Sequence, residues 1–139
     1  MNLNTTINED KVYRYLSDHT TINGIIHISH GMAEHIGRYE WLIHRLNNDG
    51  FHVIAIDHRG HGKRIGDNPK GYFADKNGWN LVLDDLMNLV DETNKEFPNH
   101  KQFLIGHSMG SWISLGVIQK GVNLDGLVLS GSSMIPKSV

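Results

Sequence analysis

From Gly24 onward the chain alternates short, mostly apolar runs with amphipathic ones, and that alternation sets the expected architecture. Residues 25–29, 51–56, 102–105 and 126–130 have strand length and little helical periodicity, as expected of strands in a parallel sheet. Between them, Tyr39, Leu42, Ile43 and Leu46 recur at helical spacing, and Gly50 follows as a cap, which predicts a helix over 37–49. Trp79, Val82, Leu83, Leu86, Leu89, Val90 and Phe97 line one face of a second helix. Its other face carries Asp84, Asp85, Asn88, Asp91, Glu92 and Lys95, and Pro98 ends it. A third helix runs over 109–119 and stops at Gly121. Strands alternating with helices predict an α/β fold with a mostly parallel sheet. Ahead of them, residues 3–7 and 12–16 flank the polar Asn8-Glu9-Asp10, which predicts a β-hairpin at one edge of the sheet. The glycine-bearing stretch 57–78 is too long for a simple turn and reads as a functional loop or a loop carrying a short helix. With no repeat or linker, residues 1–139 are expected to belong to one domain.

Composition narrows the function classes. A chain that is 39% hydrophobic and 20% charged has enough apolar residues for a core, which argues against disorder. Its 13 basic and 15 acidic residues leave a net charge of −2, which offers no field for nucleic acid or an anionic membrane surface. The absence of cysteine excludes disulfides, thiol catalysis and thiolate metal sites. The first residues lack the basic and apolar regions of a signal peptide, and no apolar run has the length of a membrane span, so a cytoplasmic location is expected.

The candidate chemistry lies at Gly106-His107-Ser108-Met109-Gly110, where an apolar run gives way to a helical one. This spacing predicts a nucleophile elbow, a serine on a strained strand-to-helix turn with glycines where side chains would collide. A second glycine loop, Ser29-His30-Gly31-Met32, ends an earlier strand. In such an arrangement the N–H groups of Met32 and Met109 form the oxyanion hole. His30, Gly31, Gly106, His107 and Gly110 are the expected supporting residues.

The base and the acid are expected to be absent from this chain. No histidine follows Ser108, and His107, its neighbour on a sharp turn, points away from it. Asp125 is the sole carboxylate residue downstream, and it stands at the start of the last strand, whereas function in parallel sheets gathers at the carboxyl ends. The ten histidines do not make a metal site: His27 and His30 are three apart on a strand and face opposite ways. The pairs His30 with His35 and His58 with His61 lie on loops without a recognised ligand pattern. No metal and no cofactor is expected, and Met32, Met87, Met109 and Met134 read as packing residues.

Three motifs in order, residues 30–39 (HGMAEHIGRY), 57–63 (DHRGHGK) and 106–110 (GHSMG), resemble the monoacylglycerol lipase and lysophospholipase group of α/β-hydrolases, often labelled serine aminopeptidase-like. The resemblance covers nearly the whole chain but the N-terminal half of such an enzyme. It implies that Ser108 is the nucleophile, that Met32 and Met109 give the oxyanion N–H groups, and that residues 58–62 support the site. The implied substrate is a small lipid or other carboxylic ester, with peptides and thioesters left open because selectivity belongs to a lid this chain lacks. The chain departs from the group's pattern at Arg64 and Ser111, where small residues are usual. A rival expectation is a non-catalytic fragment or split subunit. Either reading leaves Leu127, Val128 and Leu129 on an open sheet edge, and so predicts association through that edge or with a C-terminal half.

Overall fold

Two antiparallel strands lead into four parallel ones in this computed structural model, which describes residues 5–7 and 11–133. The strands are β1 (Thr5–Ile7), β2 (Val12–Tyr15), β3 (Gly24–Ser29), β4 (Phe51–Ile56), β5 (Gln102–His107) and β6 (Gly126–Ser130). They lie side by side in the order β1-β2-β4-β3-β5-β6. β2 runs antiparallel to both β1 and β4, so the N-terminal hairpin sits at one edge as expected. Residues 3, 4 and 8–10 of that hairpin lie outside the described residues, as does Met134.

Helices α1 (Glu40–Asn48), α2 (Gly78–Glu96) and α3 (Met109–Gln119) connect the parallel strands. The chain moves from β3 to β4 in one direction and then crosses β3 to reach β5 on the other side. Right-handed crossovers in opposite directions place their helices on opposite faces, which is what separates the core into two layers. Ile43 of α1 packs with Ile26, Ile28 and Val53 on one face. Val82, Leu83 and Leu86 of α2 and Ile113 and Val117 of α3 pack with Ile25, Ile54 and Leu104 on the other. With both faces covered, every residue of β3 is buried. The strand order reverses between β3 and β5, where Ser29 is in register with Gly106, and such a reversal is where parallel sheets place their ligand sites.

The structure corrects several details. The first turn of the helix expected over 37–49 is a tighter 3-10 turn, Ile36–Tyr39, because the Ile36 N–H is held by the Asp57 carboxylate. Trp79, expected on the buried face of α2, is 43% exposed, since it lies in the helix's first turn beyond the sheet's cover. Met32, expected to pack, is 70% exposed, whereas Met109 is buried against the core. The stretch 57–78 carries a single 3-10 turn, Gly62–Arg64, and is tied to α2 by a two-point ion pair between Arg59 and Asp85 at 2.7 and 3.1 Å. β6 stands at the edge of the sheet, with Val128 56% and Leu129 38% exposed.

Candidate functional site

Ser108 links the end of β5 to the start of α3 with φ 54° and ψ −119°, a backbone conformation that costs a non-glycine residue about 1–3 kcal/mol. The surrounding glycines explain how the turn closes. A methyl group at Gly106 would stand 2.3 Å from Ser114 Oγ, and one at Gly110 would stand 1.9 Å from the Ser29 carbonyl oxygen. α3 therefore approaches the end of β3 backbone to backbone. The Ser108 N–H donates to the Ser130 carbonyl at 2.9 Å, and its own carbonyl accepts from Ser111 N–H and Oγ. The side chain is exposed, and among the described residues its hydroxyl has no hydrogen-bond partner.

The second glycine loop leaves β3 beside this turn. Gly31 N–H donates to Glu34 Oε1 at 2.8 Å, Glu34 N–H returns to the Gly31 carbonyl at 3.3 Å, and Ala33 takes a left-handed φ of 61° to close the bend. Glu34 Oε1 also accepts from Tyr39 OH at 2.9 Å. Burial raises the Glu34 carboxyl, but the Tyr39 and Gly31 donors outweigh it and leave it below its ordinary value. The backbone N–H groups of Met32, on the loop after β3, and Met109, the first residue of α3, have no partner among the described residues. Met32 and Met109 thus each present a backbone N–H free to donate, past the carboxyl ends of neighbouring strands β3 and β5.

Behind the loop lies a layer of buried histidines. His58 N–H donates to His30 Nε2 at 2.9 Å, and His58 Nε2 shares a 2.9 Å hydrogen bond with Ser29 Oγ. The His30 ring centroid lies 4.3 Å from that of His58 and 5.1 Å from that of His61, with the rings tilted by 51° and 55°. Burial pushes the His30 imidazole below its ordinary range, helped by His61, and pushes His58 well below it, helped by His30 and His61. Asp57, fully buried at the end of β4, accepts from Tyr13 OH at 2.7 Å, Ile36 N–H at 2.8 Å and Lys63 N–H at 2.9 Å. That carboxylate fastens β2, the turn before α1 and the 57–78 loop to one point.

His107 turns toward β6 and meets Ser130 Oγ at 3.2 Å. Asp125 accepts from Gln102 N–H at 2.8 Å at the amino end of β5, the opposite end of the strand from Ser108. His27 lies in the core between the Ile54 carbonyl and the Gln102 side chain. Among the described residues, no three His, Asp or Glu side chains form a cluster that could hold a metal ion. A groove of about 640 Å³ between β2, β4 and α2 is lined by Arg14, Arg64, Glu92 and Glu96, and none of the site residues borders it.

Glu34 and Asp57 were without an assigned role in the sequence. Glu34 had a legible signal, since an acid three residues after a glycine turn can return to its N–H as in a capping box. Asp57 had none, because two of its three donors, Tyr13 and Ile36, come from distant segments.

The sheet order, the strained serine and the paired loops define an α/β-hydrolase. The chain belongs to the serine aminopeptidase S33 family, whose model matches residues 20–138. It is 35% identical over 127 residues to the monoglyceride lipase of Mus musculus, covering 88% of this chain and 40% of that protein. It is 32% identical to the monoacylglycerol lipase of Mycolicibacterium smegmatis, covering 88% of this chain and 42% of that protein. A thermostable carboxyl esterase from Bacillus coagulans, solved with glycerol, superposes with a TM-score of 0.81 at 36% identity, covering 88% of this chain and 40% of that one. The chain thus spans about two fifths of the length of these relatives. No described helix is long and apolar enough to cross a membrane.

Proposed function

We propose that this chain is the nucleophile-bearing part of a serine hydrolase that cleaves carboxylic esters of the monoacylglycerol or lysophospholipid type, with Ser108 as nucleophile. The observation that carries the reading is the φ 54°, ψ −119° conformation of Ser108 between β5 and α3, beside the free N–H groups of Met32 and Met109. Similarity to the mouse monoglyceride lipase supports the substrate class. In this reading Ser108 Oγ attacks the ester carbonyl carbon and passes its proton to a histidine base. The carbonyl oxygen becomes an oxyanion facing Met32 and Met109. Collapse breaks the ester bond, the alcohol leaves with the proton, and water then hydrolyses the acyl-serine by the same route. The histidine and its orienting acid belong to a further segment that completes the sheet beyond β6.

The test starts from the reading frame that follows the codon for Val139. An extended chain carrying an acid and then a histidine is expressed and assayed on a monoacylglycerol and a lysophospholipid. Hydrolysis that disappears in Ser108→Ala supports the assignment. Hydrolysis that survives Ser108→Ala, or an extended chain that folds yet cleaves neither ester, overturns it.

A further inference from the structure

The carbonyl of Gly31 and the N–H of Met32 belong to one peptide unit. That unit is planar and trans, so the two groups point in opposite directions and holding one aims the other. His30 Nδ1 lies 2.7 Å from the Gly31 carbonyl oxygen, and His30 Nε2 lies 2.9 Å from the backbone nitrogen of His58. A backbone N–H can only donate, so Nε2 is the bare acceptor and Nδ1 carries the proton. The ring therefore donates to Gly31, and the N–H of Met32 faces the other way without a partner.

We propose that His30 is a positioning residue: as the neutral Nδ1–H tautomer bridging the Gly31 carbonyl to the His58 N–H, it sets the Gly31–Met32 peptide plane and aims the Met32 N–H at the oxyanion. This rests on the serine-hydrolase reading above. Glu34 completes the clamp by holding the N–H of Gly31, which removes that donor from the site and leaves the adjacent Met32 N–H free. The ring has no exposed surface. Its charged and titratable neighbours are His58 and His61 on the loop after β4, Asp57 at the end of β4, and Glu34 on its own loop. Asp57 and Glu34 favour a protonated ring, but burial and His61 keep it neutral at lower pH than a free imidazole. Protonation at Nε2 would set two N–H groups head to head and release the bridge.

Long-range proton–nitrogen spectra of the 15N-labelled 139-residue chain read the tautomer directly. The expected result is an Nδ1–H ring at His30 at neutral pH that persists at about pH 6, where an unperturbed imidazole is mostly protonated. His30→Phe removes both hydrogen bonds, whereas His30→Asn keeps an N–H in the place of Nδ1. His30→Phe should move the Met32 amide resonance while the amides of Ile28 and Leu104 keep their exchange protection, and His30→Asn should move it less. In the extended enzyme, His30→Phe should lower kcat on the order of tenfold to a hundredfold with little change in KM, with partial recovery in His30→Asn. An Nε2–H tautomer, or a Met32 amide unmoved by both variants, overturns the proposal. Should His30→Phe fail to fold, the wild-type tautomer and the His30→Asn spectrum decide it. An inactive extended wild type would refute the hydrolase reading, while the tautomer and the Met32 amide still read the bridge.

Discussion

Gly110 meets the carbonyl of Ser29 with no room for a side chain: a methyl group there would stand 1.9 Å from the oxygen. Both partners are backbone, so neither yields by a rotamer change. Gly110→Ala should lower unfolding free energy by about 3 kcal/mol or more in urea titrations. Gly121, whose φ is +83° with nothing within 4 Å, is the control. Gly121→Ala should lose about 1–2 kcal/mol from backbone strain alone. Equal losses at the two sites would contradict the close approach.

The exposed Ser108 hydroxyl has no base beside it among the described residues, because His30, His58 and His107 are turned to other partners. An un-ionised serine is a weak nucleophile. A fluorophosphonate probe should therefore label the 139-residue chain at background level, as judged by intact mass. Rapid labelling lost in Ser108→Ala would mean that this chain carries its own base.

Burial holds His27, His30, His52 and His58 below the ordinary imidazole value in the folded chain. A depressed folded value means that the unfolded chain takes up protons first, so stability is complete above about pH 6.5 and is lost as pH falls through the folded values. The melting temperature should decline between about pH 7 and pH 5, before Glu34 and Glu96, also depressed, begin to contribute. A flat profile over that range would contradict the burial of these rings.

At alkaline pH the tyrosines dominate. Burial first, then the Asp57 carboxylate, raises Tyr13 above its ordinary value, and burial pushes Tyr15 up to about 12. Raised folded values give stability that is present below about pH 10 and is lost as pH rises through the folded ionisations. Tyr13→Phe should remove about 1.5–3 kcal/mol at neutral pH, the worth of a hydrogen bond to a charged group, and make the alkaline decline shallower. Differential scanning calorimetry across both ranges checks the two effects together.

Much of this fold was legible because the strand runs are short, mostly apolar and bounded by helical patterns. The four parallel strands and α3 coincide with the runs read from the sequence, and the G-x-S-x-G spacing marked the turn that the structure strains. What failed to show was set by distant partners. The 3-10 turn before α1 depends on a carboxylate 21 residues away from Ile36, and no local pattern reports such a bond. Met32 was read as packing because methionine usually is, yet it stands 70% exposed on the loop after β3. His30 stood in a motif, but the direction of its proton followed from the His58 N–H.

The open edge of β6 gives a further expectation. Val128 and Leu129 are exposed on a strand without charge or proline, the composition that invites edge-to-edge pairing. The chain should self-associate with rising concentration in analytical ultracentrifugation, and Leu129→Lys should reduce that association. A monomer at all concentrations, unchanged by the lysine, would contradict it.

That edge is mechanically close to the serine. The Ser108 N–H closes on the Ser130 carbonyl, so the last rung of the β5–β6 ladder is made by Ser108 itself. β6 is one strand thick at this border, and a chain that pairs with its outer side stiffens or tilts the rung that sets where Ser108 sits. A strand added at that edge would act on the compliance of the turn at Ser108, so that pairing there and the placement of the serine would be one event.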